Sequence, residues 1–269
     1  MSDEDRVLVV PIASIFGDRE PFNGFRGVEE FAINLDEPLN SGRFRFLRRD
    51  ILERQAKSEG KLEYKQIVPY MMFFNPDTFQ VYAFRHCPNS RDRKTILDGM
   101  WYFGFGTNIE LSDHWDGSRD RRYLGRDLIE RAKSRAIAEM VKSNGRIIES
   151  KLIGFINEED YEELGLEKEE FERGILAPVY LNITNSSTMA PKNNLPLEGG
   201  MCGIDKLGEI YSASFEDERV SLDPWARMTY TALLKSFEFH DSVSSKNGLD
   251  EEDEKKGRRS KKHGRRDRR

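Results

Sequence analysis

The chain of 269 residues is highly charged, with 34% charged and 37% hydrophobic residues and a formal net charge of -5 at pH 7. Its length allows one large domain or two small ones, and the lack of any run of eighteen apolar residues excludes a transmembrane helix. The acidic start, MSDEDRVLVV, lacks the features of a secretory signal. The two cysteines, Cys87 and Cys202, support neither a disulfide scaffold nor a zinc site. We therefore expect a cytoplasmic protein without a membrane partner.

The charge is unevenly distributed along the chain. From Asp241 onward there are eleven Lys/Arg and seven Asp/Glu, a net charge of +4, which leaves about -9 on the rest. An acidic block precedes the basic block Lys255–Arg269. Residues 241–269 have no apolar periodicity and are predicted to be disordered, because they cannot bury enough surface to offset their ordering entropy. The basic block favours contact with nucleic acid or an acidic protein, or it serves only as a solubilising end.

The first third of the chain predicts mainly strands. Residues 6–15, RVLVVPIASI, are apolar and β-branched and predict a strand. Residues 43–60 carry apolar side chains at helical spacing and predict a helix that ends at Gly60. Residues 62–75 and 79–87 are two β-rich runs separated by the turn signal PDT, which predicts a hairpin.

The middle of the chain alternates between strands and a long helix. Residues 100–110, MWYFGFGTNIE, continue the strand pattern into a turn that contains glycine. Residues 111–125 form a charged connection to a predicted helix, Arg126–Gly145. Residues 146–159 and 175–184 are apolar runs that predict two further strands.

The remaining segments predict an acidic insertion, a loop and a closing helix. Residues 160–174 predict a short acidic helix, residues 185–200 a loop, and residues 201–212 a short strand and turn. Residues 223–237 predict a helix with Asp223 as its N-cap, because proline follows at the first helical position. The predicted buried stripe of this helix consists of Trp225, Met228, Leu233 and Phe237.

The helix Arg126–Gly145 contains the segment SRAIAEM, in which Arg135 and Glu139 lie four residues apart. By itself, such a pair is usually a solvated contact worth a few tenths of a kcal/mol. Set among its neighbours, SRAIAEM resembles the Arg-Glu-x-x-Glu-Glu core of the Nudix box. WYFGFGTNIE, LIGFINEED, APVYLNI and LDPWARMTYTAL resemble, in the right order, segments of the predicted MutT-family phosphoesterase branch of the Nudix superfamily.

This resemblance implies an α/β/α sandwich with a mixed sheet and a metal-dependent chemistry. Nudix enzymes hydrolyse phosphoanhydrides with water, using Mg²⁺ or Mn²⁺ held by carboxylates on one helix. Such ions prefer oxygen ligands, polarise the phosphoryl oxygens and lower the pKa of the attacking water. A highly charged pyrophosphate is repelled by carboxylates that hold no metal. Several carboxylates are therefore needed together, so that the metal is held.

Residue by residue, the box is incomplete in this sequence. Arg135 and Glu139 match the family pattern, and Asp127 stands in for the upstream glutamate. Ala136 and Met140 replace two of the metal-binding glutamates, and neither side chain is a useful ligand for Mg²⁺. The resemblance therefore implies Glu139 as the remaining catalytic acid, and Asp127 and Glu139 as ligands of Mg²⁺ or Mn²⁺ if the protein is active. Other acids, Glu110, Glu130, Glu149 and Glu198, are candidates to replace the missing ones.

Ligand binding is predicted at the glycine-containing turn and at the arginine of the box. The predicted ligand-binding residues are Arg135, Gly104, Gly106, Asn108 and Glu110. Glycines at the end of a strand allow a phosphate to approach the backbone, although they also occur in ordinary turns and bulges.

Two neighbouring segments have both a structural and a functional interpretation. Alternation along Trp101–Phe105 buries most of the aromatic rings and turns one or two toward a cleft, where a base can stack. Asp113, His114 and Asp116 are interpreted as part of an exposed loop in preference to a metal site.

The predicted organisation is an N-terminal extension packed on the core (1–60), a Nudix-like domain (61–240) and the tail (241–269). Three functions remain open. The first is a binding or sensor module that recognises a nucleotide or another phosphoanhydride ligand with weak or absent hydrolysis. The second is a divergent Mg²⁺- or Mn²⁺-dependent pyrophosphohydrolase of nucleoside-diphosphate-linked substrates. The third is a scaffold that binds protein or nucleic acid through its basic tail.

Overall fold

The computed structural model describes residues 6–31, 33–57, 62–87, 99–115, 122–157, 174–193, 195–217 and 220–235. The chain divides into two compact units, Met1–Thr229 and Tyr230–Arg269. The predicted tail and most of the predicted acidic helix at 160–174 lie outside the described residues. Within the described residues, no helix is long and apolar enough to cross a membrane.

Thirteen strands are found among the described residues. They are β1 (Arg6–Pro11), β2 (Gly24–Gly27), β3 (Arg45–Arg48), β4 (Tyr64–Ile67), β5 (Tyr70–Asn75), β6 (Gln80–His86), β7 (Trp101–Tyr102), β8 (Phe105–Gly106), β9 (Val141–Ser143), β10 (Ile147–Asn157), β11 (Ile175–Thr184), β12 (Met189–Pro191) and β13 (Leu197–Gly203).

The helices of the described residues are mostly short, except for two. They are α1 (Ile12–Phe16), α2 (Asp36–Asn40), α3 (Arg49–Lys57), α4 (Leu111–His114), α5 (Gly125–Met140) and α6 (Ile204–Glu216). A further helical stretch, residues 224–235, is called the closing helix below.

Eleven strands form one mixed sheet with the order β13-β6-β5-β11-β4-β1-β3, and β10 joins β2 to β11. β11 runs parallel to both β4 and β5, whereas the other pairs of named strands are antiparallel. All six residues of β5 are buried, as are nine of the ten in β11. Such continuous apolar runs are typical of strands covered on both faces, so β5 and β11 form the centre of the sheet.

Helix α5 packs against the sheet along an apolar stripe. Its buried residues include Leu128, Ile129, Ala132 and Ala136, whose spacing places them on one helical face. The first three belong to a core cluster that includes residues of β1, whereas Ala136 belongs to a second cluster that contains Met71 and other residues of β5 and β6. The helix therefore connects the N-terminal strands to the strands on the other side of β11.

Several predicted elements are confirmed. The hairpin is formed by β5 and β6, and the strands at 146–159 and 175–184 correspond to β10 and β11. The closing helix is confirmed, with the backbone amide of Ala226 donating to Asp223 Oδ2 at 2.9 Å as expected for an N-cap. In its predicted stripe, Leu233 is buried, Trp225 and Met228 are half-buried, and Phe237 lies outside the described residues.

Other predicted elements are wrong. The predicted helix at 43–60 begins as β3, because residues 45–48 pair with β1, and the helix 126–145 ends at Met140, where the chain continues directly into β9. The predicted loop at 185–200 contains β12 and the start of β13, which pair with distant strands. Residues 204–216 form α6 instead of a turn, with Leu207 and Ile210 buried three residues apart.

Candidate functional site

A cleft of about 820 Å³ lies against the C-terminal half of α5. Its other walls come from the segment 104–110, the ends of β5 and β6, residues 195–197 and the start of the closing helix at Asp223. Of the predicted site residues, Gly104, Gly106, Asn108, Glu110, Arg135 and Glu139 all line this cleft. Residues that are far apart in the sequence thus meet at one surface.

Arg135 is the centre of the polar wall of the cleft. Its Nε donates to Asp113 Oδ1 at 3.1 Å and its Nη2 donates to Asp113 Oδ2 at 2.9 Å, which is the bidentate arrangement that suits a guanidinium and a carboxylate. Nη2 also donates to the carbonyl of Asn108 at 2.8 Å. The hydrogen bond with Asp113 is the main cause that raises the pKa of Arg135. Arg135 is therefore a fixed, permanently charged group whose strongest partner is already in place.

Asp113 is buried, with 3% of its surface exposed, so the prediction that Asp113, His114 and Asp116 belong to an exposed loop is wrong for Asp113. Besides accepting from Arg135, its Oδ2 accepts from the backbone amide of Glu110 at 2.9 Å. The Glu110 side chain in turn accepts from the backbone amide of Asp113, which completes a capping box at the start of α4. Asp113 thus orients both Arg135 and Glu110, whereas Asp116 lies outside the described residues.

The segment that carries Asn108 and Glu110 is anchored to the sheet on its outer side. Gln66 of β4 donates from Nε2 to Asn108 Oδ1 at 2.7 Å. The amide of Leu8 in β1 donates to the carbonyl of Ile109 at 2.9 Å. These contacts hold the segment between the sheet and the cleft.

The acidic side chains of the cleft wall lie near Arg135. Glu110 Oε1 and Glu139 Oε2 each lie 3.6 Å from Arg135 Nη1, so the guanidinium is located between the two carboxylates. The Glu139 side chain is 61% exposed and the Glu110 side chain is 31% exposed. Ala136 is buried and Met140 is half-buried, and both line the cleft where the resemblance expects carboxylates.

The remaining predicted acids do not come to the cleft. Asp127 is exposed near the start of α5, twelve residues from Glu139, which corresponds to about 18 Å along a helix. The distance is too large for both to hold one ion. Glu130 pairs with Lys133, Glu198 pairs with Arg85 on β13 and β6, and Glu149 is exposed on β10. Of the candidate replacement acids, only Glu110 lines the cleft.

These residues do not fit a divalent ion held by the protein alone. Within the described ranges, no group of three or more His, Cys, Asp or Glu side chains is placed to hold a metal. Glu110 and Glu139 both contact Arg135, and Ala136 supplies no donor atom. A thioether such as that of Met140 is a poor ligand for Mg²⁺ or Mn²⁺, which prefer oxygen. The metal-binding cluster that the resemblance implies for the family is therefore incomplete on this helix.

The opposite end of the cleft is aromatic. Tyr70 and Trp225 make an edge-to-face contact with ring centroids 5.4 Å apart, and Tyr102 stacks on Phe84 at 5.2 Å. Burial raises the pKa of Tyr70 well above its usual value, and the nearby carboxylate of Asp223 adds to the effect. Burial and Asp223 likewise raise the pKa of Tyr102. Both phenols therefore remain protonated at neutral pH.

The two predicted glycines permit close packing at this end. A Cβ at Gly104 would lie 2.5 Å from the Met71 carbonyl oxygen and 2.9 Å from Tyr70 Cζ. A Cβ at Gly106 would lie 3.0 Å from Val68 and 3.2 Å from the Trp225 ring. Any side chain at either position would displace the sheet or the aromatic rings.

Some cleft residues were not predicted from the sequence. Tyr70 and Asp223 were assigned only to a strand and a helix cap, and Asp113 only to a loop. The expectation that one or two rings of Trp101–Phe105 face a cleft agrees with Tyr102 and Phe105, which line it, while Phe103 is fully buried. One signal for Asp113 was present: Glu110 and Asp113 have the spacing of a capping box.

Comparison with solved structures identifies a similar fold. No protein-family model matches the chain, and no curated protein matches it. Among solved structures, the chain is similar to the crystal structure of Tm1382, a candidate Nudix hydrolase. The TM-score is 0.57 and the identity is 18%, over 86% of this chain and 98% of that chain. At this identity the likeness shows the fold, so the chain has a Nudix-type α/β fold with a mixed sheet.

Proposed function

We propose that this Nudix-fold protein is a binding or sensor module, which recognises a nucleotide or another phosphoanhydride compound in the cleft with weak or absent hydrolysis. The observation that carries the proposal is the composition of α5 at the cleft. Arg135 and Glu139 face the site, while Ala136 and Met140 occupy the neighbouring lining positions. The box of this chain is, in this proposal, a degenerate Nudix box of the MutT-like branch.

Binding is supported by the size and lining of the cleft. Its volume of about 820 Å³ falls in the range of about 300–1,000 Å³ that is usual for small-molecule sites. One end offers aromatic rings and the other offers Arg135 with a few polar groups, an arrangement that fits a ligand with a planar part and a polar part.

Weak hydrolysis is supported by the electrostatics of the polar wall. Hydrolysis of a phosphoanhydride needs a positively charged group next to the phosphoryl oxygens, and it needs an activated water. Arg135 is bound by Asp113 and flanked by Glu110 and Glu139, so it can contact a ligand phosphate but cannot by itself balance the negative charge that develops during hydrolysis. Two carboxylates without a third bind a divalent ion only weakly.

A second candidate is the divergent pyrophosphohydrolase. It is favoured by the closeness of Glu110 and Glu139, both 3.6 Å from the same nitrogen of Arg135. Mg²⁺ is commonly bound through one or two carboxylates together with substrate phosphates. In this proposal Glu110 takes the place of an acid that α5 lacks, and the ion enters with the substrate.

One experiment separates the two candidates. The full chain is incubated with a panel of nucleoside triphosphates and nucleoside-diphosphate-linked compounds, with Mg²⁺, with Mn²⁺ and with EDTA, and melting temperature and phosphate release are both measured. A binding module gives a higher melting temperature without turnover. A hydrolase gives metal-dependent phosphate release that Glu139→Gln abolishes, whereas Glu149→Gln, an exposed acid on β10, leaves it unchanged. If no compound raises the melting temperature and none is hydrolysed, both candidates are wrong.

The tail remains a separate proposal. Binding of nucleic acid or an acidic protein by Lys255–Arg269 concerns residues outside the described ranges. Deleting this block is expected to remove such binding and to leave ligand-induced stabilisation of the cleft unchanged, which a comparison of the full and shortened chains measures.

A further inference from the structure

Strand β10 has one edge that is only partly paired. β11 pairs with it along Ile147–Asn157, whereas β2 on the opposite side pairs only with Gly154–Asn157. The amide of Val28 adds one hydrogen bond to the carbonyl of Ile153 at 3.2 Å. Among the described residues, no strand pairs with this side of residues 147–152. Such an edge presents backbone N–H and C=O groups to which another strand can pair.

The exposure of β10 follows this pairing. All four residues of Gly154–Asn157, which β2 covers, are buried, whereas Ile147–Glu149 are exposed. Ile148 is 61% exposed and Ile147 is 37% exposed, and Val28, at the other end of the open edge, is also 37% exposed. A single exposed aliphatic side chain is ordinary, but these three lie along one open edge, which favours a partner that covers them.

The charges on this edge match those of a second copy of the chain in one register. Ser150 faces α5, because its Oγ accepts from Lys133 Nζ at 2.6 Å. Successive side chains of a strand alternate, so the exposed Glu149 and Lys151 lie on the face away from α5. If two copies of β10 pair antiparallel about Ser150, Glu149 of each copy lies opposite Lys151 of the other. Pairing about Glu149 or Lys151 instead places like charges opposite each other, which is destabilising. Lys151 also interacts within its own chain; the pairing needs only its positive charge at this edge.

The apolar side chains match in the same register. Ile148 lies opposite Leu152 of the second copy, and Leu152 is half-buried against the core cluster beneath α5. Ile147 reaches Val28 of that copy, where the paired stretch ends. The register of β10 against β11 is irregular just after Ile147, and such an irregularity bends a strand, so the chain can turn away from the β2 strand of the second copy. Each exposed isoleucine thus meets an aliphatic side chain.

We propose that residues 148–152 of β10 pair antiparallel with the same residues of a second copy, which forms a dimer with an isologous interface. Backbone hydrogen bonds and aliphatic contacts supply the affinity, and the charges of Glu149 and Lys151 select the register. The paired stretch is short, so the dimer is small in interface area and reversible. The inference goes beyond the proposed function, because neither Glu149 nor Lys151 lines the cleft.

Charge reversal tests both the partner and the register. The full chain is compared with Glu149→Lys and with Lys151→Glu by sedimentation velocity over a range of protein concentrations, and the melting temperature of each variant shows that it is folded. The two variants are also mixed in equal amounts. Lys206→Glu is the matched control, because Lys206 is an exposed lysine of α6 that pairs with Glu209, away from β10.

The expected result is a specific pattern. The unchanged chain and Lys206→Glu form a dimer as the concentration rises. In Glu149→Lys and in Lys151→Glu the dissociation constant rises about tenfold or more, because both cross-strand pairs then join like charges. The equal mixture of these two variants regains the dimer, because every cross-strand pair between the two different chains joins opposite charges.

Three results overturn the proposal. An unchanged chain that stays monomeric at every concentration shows that the charges keep this edge from pairing. A dimer that Glu149→Lys and Lys151→Glu both retain lies elsewhere on the surface. A dimer that both variants lose and their mixture does not regain is not paired in this register. The ligand-induced change in melting temperature is expected to be the same in all variants, so failure of the dimer leaves the proposed function intact, and a dimer without any ligand binding overturns only the proposed function.

Discussion

Replacing Asp113 with asparagine tests whether the pair with Arg135 organises the cleft. Asparagine keeps the size of the side chain but removes its charge. Its amide nitrogen, which only donates, replaces an oxygen that accepts from Arg135 and Glu110. The change therefore breaks the bidentate contact and weakens the hydrogen bond from the Glu110 amide. Arg135 is left with its contact to the Asn108 carbonyl and two longer contacts to Glu110 and Glu139.

The expected loss follows from the burial of the two partners. The Asp113 side chain is 5% exposed and the Arg135 side chain is 25% exposed. Breaking a fully buried ion pair costs about 3–5 kcal/mol, and the partial exposure of Arg135 reduces this. We expect Asp113→Asn to lower the free energy of unfolding by about 2–4 kcal/mol, which includes the weakened cap at Glu110.

Urea unfolding followed by tryptophan fluorescence measures this loss. Asp127→Asn is the matched control, because Asp127 is an exposed acid in the first turn of α5 and its loss should change stability by less than about 1 kcal/mol. A double-mutant cycle of Asp113→Asn with Arg135→Gln should give a coupling energy of about 1–3 kcal/mol. An Asp113→Asn effect no larger than that of the control would refute the central role of this pair.

Two further changes test the packing around α5 and the cleft. Gly104→Ala places a Cβ 2.5 Å from a backbone oxygen, so we expect a loss of about 1–3 kcal/mol from overpacking and a weaker ligand-induced thermal shift. Gly27→Ala, where a Cβ meets nothing closer than 3.8 Å, should keep both values, and equal effects of the two changes would contradict the prediction. Burial lowers the pKa of Lys133 below its usual value of 10.5, so the unfolded chain binds this proton more tightly and stability rises with pH in the range just below 10.5. Lys133→Met should remove this increase in the free energy of unfolding, which urea unfolding measures from pH 7 up to the range just below 10.5. A variant whose stability changes with pH in parallel with that of the unchanged chain would count against the prediction.

The elements predicted correctly depend on local patterns. The β5–β6 hairpin is determined by two apolar runs around PDT, and most of α5 by the stripe that contains Leu128 and Ala132. The N-cap at Asp223 needs only the residues that follow it. Such features can be predicted because the physical cause lies within a few residues of its effect.

The elements predicted wrongly depend on distant partners. β12 and β13 look like a loop by composition, but they are strands because β9 and β6 supply their hydrogen bonds. Asp113 looks like an exposed loop residue, but it is buried because Arg135 is placed 22 residues later on α5. The position of Arg135 and Glu139 at the cleft could be predicted from the resemblance, whereas the contact of Tyr70 with Trp225 required the whole fold.

The contact between β1 and the segment that follows β8 makes the cleft dependent on the first residues of the chain. The backbone amide of Leu8 donates to the carbonyl of Ile109, and Val7 forms an isolated β-bridge with Glu110. Glu110 is also the residue that contacts Arg135. A shortened protein that begins after Pro11 loses these bonds and the strand that lies between β3 and β4 and pairs with both. Binding measurements on such a fragment would report a weakened site, so the N-terminal strand belongs to any minimal unit used to study the ligand.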